Sequence, residues 1–129
     1  MVKAKDVMNA NVVTVSKDAS LTEAGKLMVL NSITGIPVVE DDMTPVGIIT
    51  EKDIFHLFNV LQYSEDRTVN TSMTSPVVCF DVETELLKVV DCVKNNDFRR
   101  VPITSEGKVV GVISRSDLIS YMIKQKDTL

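Results

Sequence analysis

The stretch VGIITEKDI, residues 46–54, returns as VGVISRSDL at residues 110–118. Working outward from it, a shift of 65 residues brings most of the chain onto itself. Met8 falls on Met73, NVVTVSKDASL (11–21) on PVVCFDVETEL (76–86), and IPVV (36–39) on VPIT (101–104). One residue is lost between EDDMTPVG (40–47) and SEGKVVG (105–111), after which the offset is 64 through Asp53 and Asp117. Self-similarity on this scale means one supersecondary unit written twice. The copies cover about residues 6–62 and 71–123, and the polar segment QYSEDRTVNT (62–71) between them reads as a linker.

Each copy spells the same element order. VVTV (12–15) and VVCF (77–80) read as short strands. A helix follows, opened by Ser20 with Glu23 as a capping box and less completely by Thr84. Leu21, Ala24, Gly25 and Met28 recur at helical spacing, as do Leu86, Val89, Val90 and Val93, marking one buried face in each copy. Two strands come next, around Asp41, Asp42 and Pro45 in one copy and Gly107 in the other. A closing helix carries Ile54, Leu57, Phe58 and Leu61, matched by Leu118, Tyr121 and Met122. The expected fold is therefore α/β (α+β): two β-α-β-β-α repeats packed as a pseudo-two-fold pair, with repeats at 1–62 and 71–129 and a linker at 63–70. A lone unit of about 55 residues buries too little surface to be more than marginal, which accounts for the pair.

Composition bounds the function. The 129 residues are 44% hydrophobic and 25% charged, with no Trp, so the core is aliphatic. A net charge of -4 argues against a nucleic-acid partner. No apolar run approaches the roughly 20 residues of a membrane helix, and the first residues lack a secretory signal. Cys79 and Cys92 match no metal or redox spacing and read as free buried thiols in a reducing cytoplasm. No nucleophile–base pair, metal-ligand cluster or phosphate-binding glycine loop appears, so no catalytic role, catalytic cofactor or metal is expected.

The repeated phrase carries the chemistry. An apolar strand ends at a hydroxyl, Thr50 or Ser114, and a helix begins with Asp53 or Asp117 in its first turn. A helix start has unpaired N–H groups and a positive dipole end suited to an anion. A carboxylate beside it accepts the paired hydroxyls of a ribose. The same spacing is equally an ordinary N-cap, and Gly47 and Gly111 are equally turn or packing glycines.

These residues resemble a pair of CBS domains (named after cystathionine β-synthase), also called a Bateman module. The resemblance rests on Ile36-Pro37-Val38 and Val101-Pro102-Ile103, on Gly47 to Asp53 and Gly111 to Asp117, and on DVM (6–8). It implies a regulatory module that binds AMP, ADP, ATP or S-adenosylmethionine in clefts between the repeats, forms a homodimer through its helices, and signals to a separate, unidentified protein. It further implies that Thr50 and Asp53 work with Val78, Cys79, Arg99, Arg100, Val101 and Pro102. Ser114, Arg115 and Asp117 would work with Val13, Thr14, Thr34, Ile36 and Pro37. Cys79 stands where the family commonly has a hydroxyl residue.

The copies differ where phosphate would sit. FRRVP puts Arg99 and Arg100 before one strand, where ITGIP has Thr34 and Gly35. Guanidinium groups grip phosphate in a charge-assisted, often bidentate way, although a solvated surface pair is the alternative. Lys52 and His56 lie near the first helix start, and Glu40 to Asp42 reads as a solvated turn rather than a metal site. The competing function is a structural dimerisation module with empty clefts.

Overall fold

The computed structural model describes residues 1–60 and 67–127, with the side chains of 57–60 excepted. Leu61 therefore lies outside the described residues, as do the side chains of Leu57 and Phe58 and most of the expected linker. The chain forms two compact units, one of Val13–Val77 and the other of Met1–Val12 with Val78–Leu129.

The Val13–Val77 unit contains β1 (Val15–Ser16), α2 (Leu21–Asn31), β2 (Gly35–Val39), β3 (Pro45–Thr50), α3 (Glu51–Val60) and α4 (Val69–Ser72). Its sheet has the order β1-β2-β3, parallel then antiparallel. The other unit repeats the plan with α1 (Ala4–Val7), β4 (Phe80–Asp81), α5 (Leu86–Asn95), β5 (Arg100–Ser105), β6 (Lys108–Ser114) and α6 (Arg115–Asp127), in sheet order β4-β5-β6. The α/β repeat expected from sequence is present. Its first strands are shorter than VVTV and VVCF suggest, because β1 and β4 find only two partner residues each on the central strand.

Each core is one helix face against one sheet. Leu21, Ala24 and Met28 pack with Ile36, Val38 and Ile49, and Leu86, Val89 and Val93 with Val101, Ile103 and Ile113. Ser20 caps α2 through Oγ, which accepts from Glu23 N at 3.0 Å. Thr84 does not cap α5; Glu85 stands at that N-cap and makes no side-chain cap bond. In α6 Leu118 is buried and Tyr121 packs on the core, but Met122 faces solvent. Gly25 sits in ordinary van der Waals reach of Ile54 Cγ2, 3.6 Å from where a Cβ would stand, so the small residues of α2 admit α3 of the same unit.

The sequence does not announce how the short helices dock. α1, ahead of the first copy's strand, completes the unit built on the second copy's sheet, and α4 completes the unit built on the first copy's sheet. The same three backbone bonds seat both. Ala4 N donates to Thr84 O, Lys5 N to Val82 O, and Leu86 N to Val2 O; Val69 N donates to Ala19 O, Asn70 N to Lys17 O, and Leu21 N to Arg67 O. Ala4 and Val69 are fully buried. Arg67 to Thr71 is thus built structure rather than linker. Lys3 and Lys5 add ion pairs of 2.9 Å each to Glu83, whose carboxyl they hold down at about 2. After each short helix the chain makes a two-bond antiparallel bridge on the outer strand: Asn9 with Val112 (2.9 and 3.1 Å) and Thr74 with Ile48 (3.0 and 2.9 Å).

The repeated glycines explain themselves here. A Cβ on Gly47 would stand 2.6 Å from Met73 Sδ and 2.8 Å from the Thr74 carbonyl oxygen. On Gly111 it would stand 2.6 Å from Met8 Sδ and 3.1 Å from Asn9 O. Both are packing glycines under the docked segment, not turn glycines. Gly47→Ala must displace backbone, so it should destabilise by about 1–3 kcal/mol. Gly111→Ala should cost less, because a flexible thioether can yield. Urea denaturation of the two variants checks this, and equal midpoints would contradict it.

Candidate nucleotide site at the sheet ends

The hairpin register assembles the site residues. In β2–β3, Gly35 lies opposite Thr50 and Pro37 opposite Ile48. In β5–β6, Arg100 lies opposite Ser114 and Pro102 opposite Val112. Ile48 and Val112 spend their N–H and C=O on Thr74 and Asn9, so each proline occupies a non-hydrogen-bonded position of its hairpin. Its missing N–H then faces the first-strand side, where β1 and β4 pair only from Val38 and Ile103 onward. Continuing those parallel registers backward sets Thr14 and Val13 beside Pro37 and Ile36, and Cys79 and Val78 beside Pro102 and Val101. One end of each sheet therefore collects a short apolar run, the start of the central strand, a hydroxyl residue and a helix start.

The candidate residues divide between the two units. Thr50 and Asp53 share a unit with Val13, Thr14, Thr34, Ile36 and Pro37; Ser114, Arg115 and Asp117 share a unit with Val78, Cys79, Arg99, Arg100, Val101 and Pro102. Antiparallel pairing returns the end of the second strand to the beginning of the first, so the residue two before the proline lies opposite the hydroxyl of its own copy.

The two carboxylates are held alike. Asp53 Oδ2 accepts from Thr50 N at 2.7 Å and Thr50 Oγ1 at 3.0 Å. Asp117 Oδ2 accepts from Ser114 N at 2.8 Å, and Ser114 Oγ accepts from Asp117 N at 3.2 Å, a complete reciprocal box. Both N-cap and ligand roles remain compatible, because Oδ1 of each aspartate takes no hydrogen bond among the described residues. The helix starts are less vacant than expected. Glu51 N donates to Thr34 O and Arg115 N to Arg99 O, which leaves the dipole rather than a row of free N–H groups.

Charge distinguishes the units. Arg100 is half-buried; burial and Arg99 lower its pKa while Asp117 favours its charge. Arg99 is exposed. Arg115 turns to its own loop, with Nε 2.7 Å from Phe98 O and Nη2 3.1 Å from Asp97 Oδ1. Lys52 and His56 are exposed on α3, and Thr14 Oγ1 meets Met43 Sδ at 3.9 Å. Cys79 and Cys92 are free and half-buried rather than buried, and burial pushes the Cys79 thiol up. Glu40 pairs with Lys17 at 3.2 Å, and Asp42 Oδ1 accepts from Thr44 N, so that acidic run is a turn. Among the described residues no group of three or more His, Cys, Asp or Glu is placed to hold a metal.

The CBS domain profile matches residues 4–59 and again 67–124. The chain belongs to the CBS domain family. It carries a tandem CBS pair, and solved CBS pairs share its fold. It is similar to the CBS-pair protein CBSX2 from Arabidopsis thaliana at a TM-score of 0.87 and 26% identity, covering 97% of this chain and 96% of that one. CBSX2 has also been solved in complex with AMP, at 0.85 and 27% identity over 98% and 99% of the two chains. Hypoxic response protein 1 of Mycobacterium tuberculosis is 26% identical over 95% of this chain and 86% of its own length. The inosine-5'-monophosphate dehydrogenase of Methanocaldococcus jannaschii is 34% identical, but the CBS pair spans only 23% of it. The chain spans less than half the length of the first curated relatives it matches. Among the described residues of this CBS pair no helix is long and apolar enough to cross a membrane.

The two hydroxyls do different work, which gives a test. Ser114 Oγ accepts a helix N–H, whereas Thr50 Oγ1 donates to Asp53. Ser114→Ala should lose about 1 kcal/mol of stability as a lost N-cap. Thr50→Val should lose less, and thermal denaturation of both variants measures the difference.

Proposed function

We propose that the chain is a non-catalytic regulatory module that binds adenine nucleotides at the ends of its two sheets and passes the occupancy on to another protein. One observation carries this reading: each unit repeats a carboxylate tied down through Oδ2, with no hydrogen bond to Oδ1 among the described residues, beside a helix start and a short apolar run. Such a carboxylate accepts the two ribose hydroxyls, and the apolar run (Val13 and Thr14, or Val78 and Cys79) receives the adenine. The complex of the similar CBSX2 with AMP supports the ligand class.

The units are proposed to differ in what they demand of the ligand. Arg99 and Arg100 stand by Ser114 and Asp117, so that site grips phosphate. Thr34 and Gly35 stand by Thr50 and Asp53, so the other site holds mainly the nucleoside. Calorimetry tests this. Arg100→Ala should weaken AMP binding at the tighter site roughly tenfold to a hundredfold, as for loss of a charged hydrogen bond, with little effect on adenosine. Asp117→Ala should weaken AMP and adenosine there alike, and Asp53→Ala should affect the weaker site. A ligand at 100 times its Kd adds about 2.7 kcal/mol of stability. An unchanged melting temperature with AMP, ADP, ATP and S-adenosylmethionine at millimolar levels would leave the structural reading in its place.

We further propose that the module is a homodimer through its helices. Val29 and Leu30 of α2 are 83% and 82% exposed, and Phe55, Leu87, Ile119, Met122 and Ile123 are all more than half exposed on helix surfaces. Exposed apolar faces of this kind mark association surfaces. Light scattering at micromolar concentration should give twice the chain mass; a monomer with and without AMP sinks the proposal.

A further inference from the structure

We propose that Arg115 is a positioning residue that sets the direction of the phosphate-gripping arginines, an inference that rests on the nucleotide reading above. Arg115 is the first residue of α6, and it bonds three successive residues of the segment entering β5. Its Nη2 donates to Asp97 Oδ1 at 3.1 Å, its Nε to Phe98 O at 2.7 Å, and its backbone N to Arg99 O at 3.0 Å. Arg100, the next residue, is then fixed opposite Ser114 by the strand register.

The segment needs such a hold. Behind it α5 has ended at its cap, Asn96. On the β4 side β5 gains a partner only from Ile103 onward. Residues 97–99 therefore lie outside the ladder, yet they carry Arg99 and lead directly into Arg100, the first residue of β5. A planar guanidinium answers this geometry, because its fork reaches a carbonyl and a carboxylate at once. Asp97 is fully exposed, so the shorter bond to the Phe98 carbonyl contributes more of the hold.

The companion unit supplies the contrast. Glu51 occupies the equivalent place at the start of α3 and keeps the backbone bond, Glu51 N to Thr34 O at 3.0 Å. Its carboxylate makes no hydrogen bond to the preceding segment among the described residues. That unit also has Thr34 and Gly35 instead of arginines. Among the described residues the side-chain staple thus occurs in the unit that has arginines to aim.

The test is calorimetry with AMP and with adenosine on wild type, Arg115→Ala and Arg115→Lys, each first shown folded by circular dichroism. Arg115→Ala should weaken AMP binding about tenfold, the size of one lost charged hydrogen bond, and leave adenosine within about twofold. Arg115→Lys keeps the charge but loses the fork, so it should fall between the two. Amide chemical shifts of Asp97 to Arg100 should move in both variants. AMP binding unchanged in Arg115→Ala overturns the inference, as does full recovery in Arg115→Lys, which would make Arg115 a source of charge alone. Equal loss of AMP and adenosine would show a merely structural role and overturn it too. Absence of AMP binding by wild type would instead remove the nucleotide reading itself, and this inference with it.

Discussion

Each unit depends on a docked edge. Asn9 bridges to Val112 and Thr74 to Ile48, and in both cases the bridging residue comes from the segment that precedes the other copy's first strand. Without it the outer strand would expose unpaired N–H and C=O groups, an aggregation-prone edge. The slots filled by Ala4 and Val69, both fully buried, would also open. The Val13–Val77 unit is one contiguous piece of chain that carries its own edge segment, whereas the other unit takes its edge from Met1–Val12, on the far side of the first copy in sequence.

The docked edge also shapes the candidate site. Because Thr74 and Asn9 consume the hydrogen bonds of Ile48 and Val112, the prolines opposite them can sit in central strands without breaking a ladder. The first strands are short, pairing with the central strand only from Val38 and Ile103 onward. Methionine is well suited to seat the segment, since an unbranched thioether fills the irregular space over Gly47 and Gly111.

Two units with one plan have diverged in charge. Arginines and the Arg115 staple lie in one, and Thr34, Gly35 and Glu51 hold the matching places in the other. The backbone pairing is the same in both, down to the bond from the first helical N–H to the residue three before the proline. Selectivity can therefore change through three side chains while the scaffold stays fixed, as expected when function is grafted on a fold.

Much of this was legible in the letters alone. The repeat, the element order, the buried faces Leu21-Ala24-Met28 and Leu86-Val89-Val93, and the hydroxyl–carboxylate pairs follow from period and spacing, which are local properties of a chain. Asp53 and Asp117 were identifiable as cap and candidate ligand together, because both roles use the same carboxylate. What the letters could not show depends on contacts between residues distant in sequence. Polar QYSEDRTVNT resembles a linker until Val69 is found buried against the first copy. The buried face that includes Ala24 and Gly25 does not name its neighbour until Ile54 of the same unit is found beside Gly25. That Arg100 lies opposite Ser114 is visible only in the hairpin register. The sequence by itself determined the repeated strands and long helices and which residues are candidates to bind, since those are read within a few turns of chain. Only the tertiary structure decided which copy each edge strand, glycine and arginine serves, because that is set by long-range backbone pairing, and one repeated pattern is compatible with either partner.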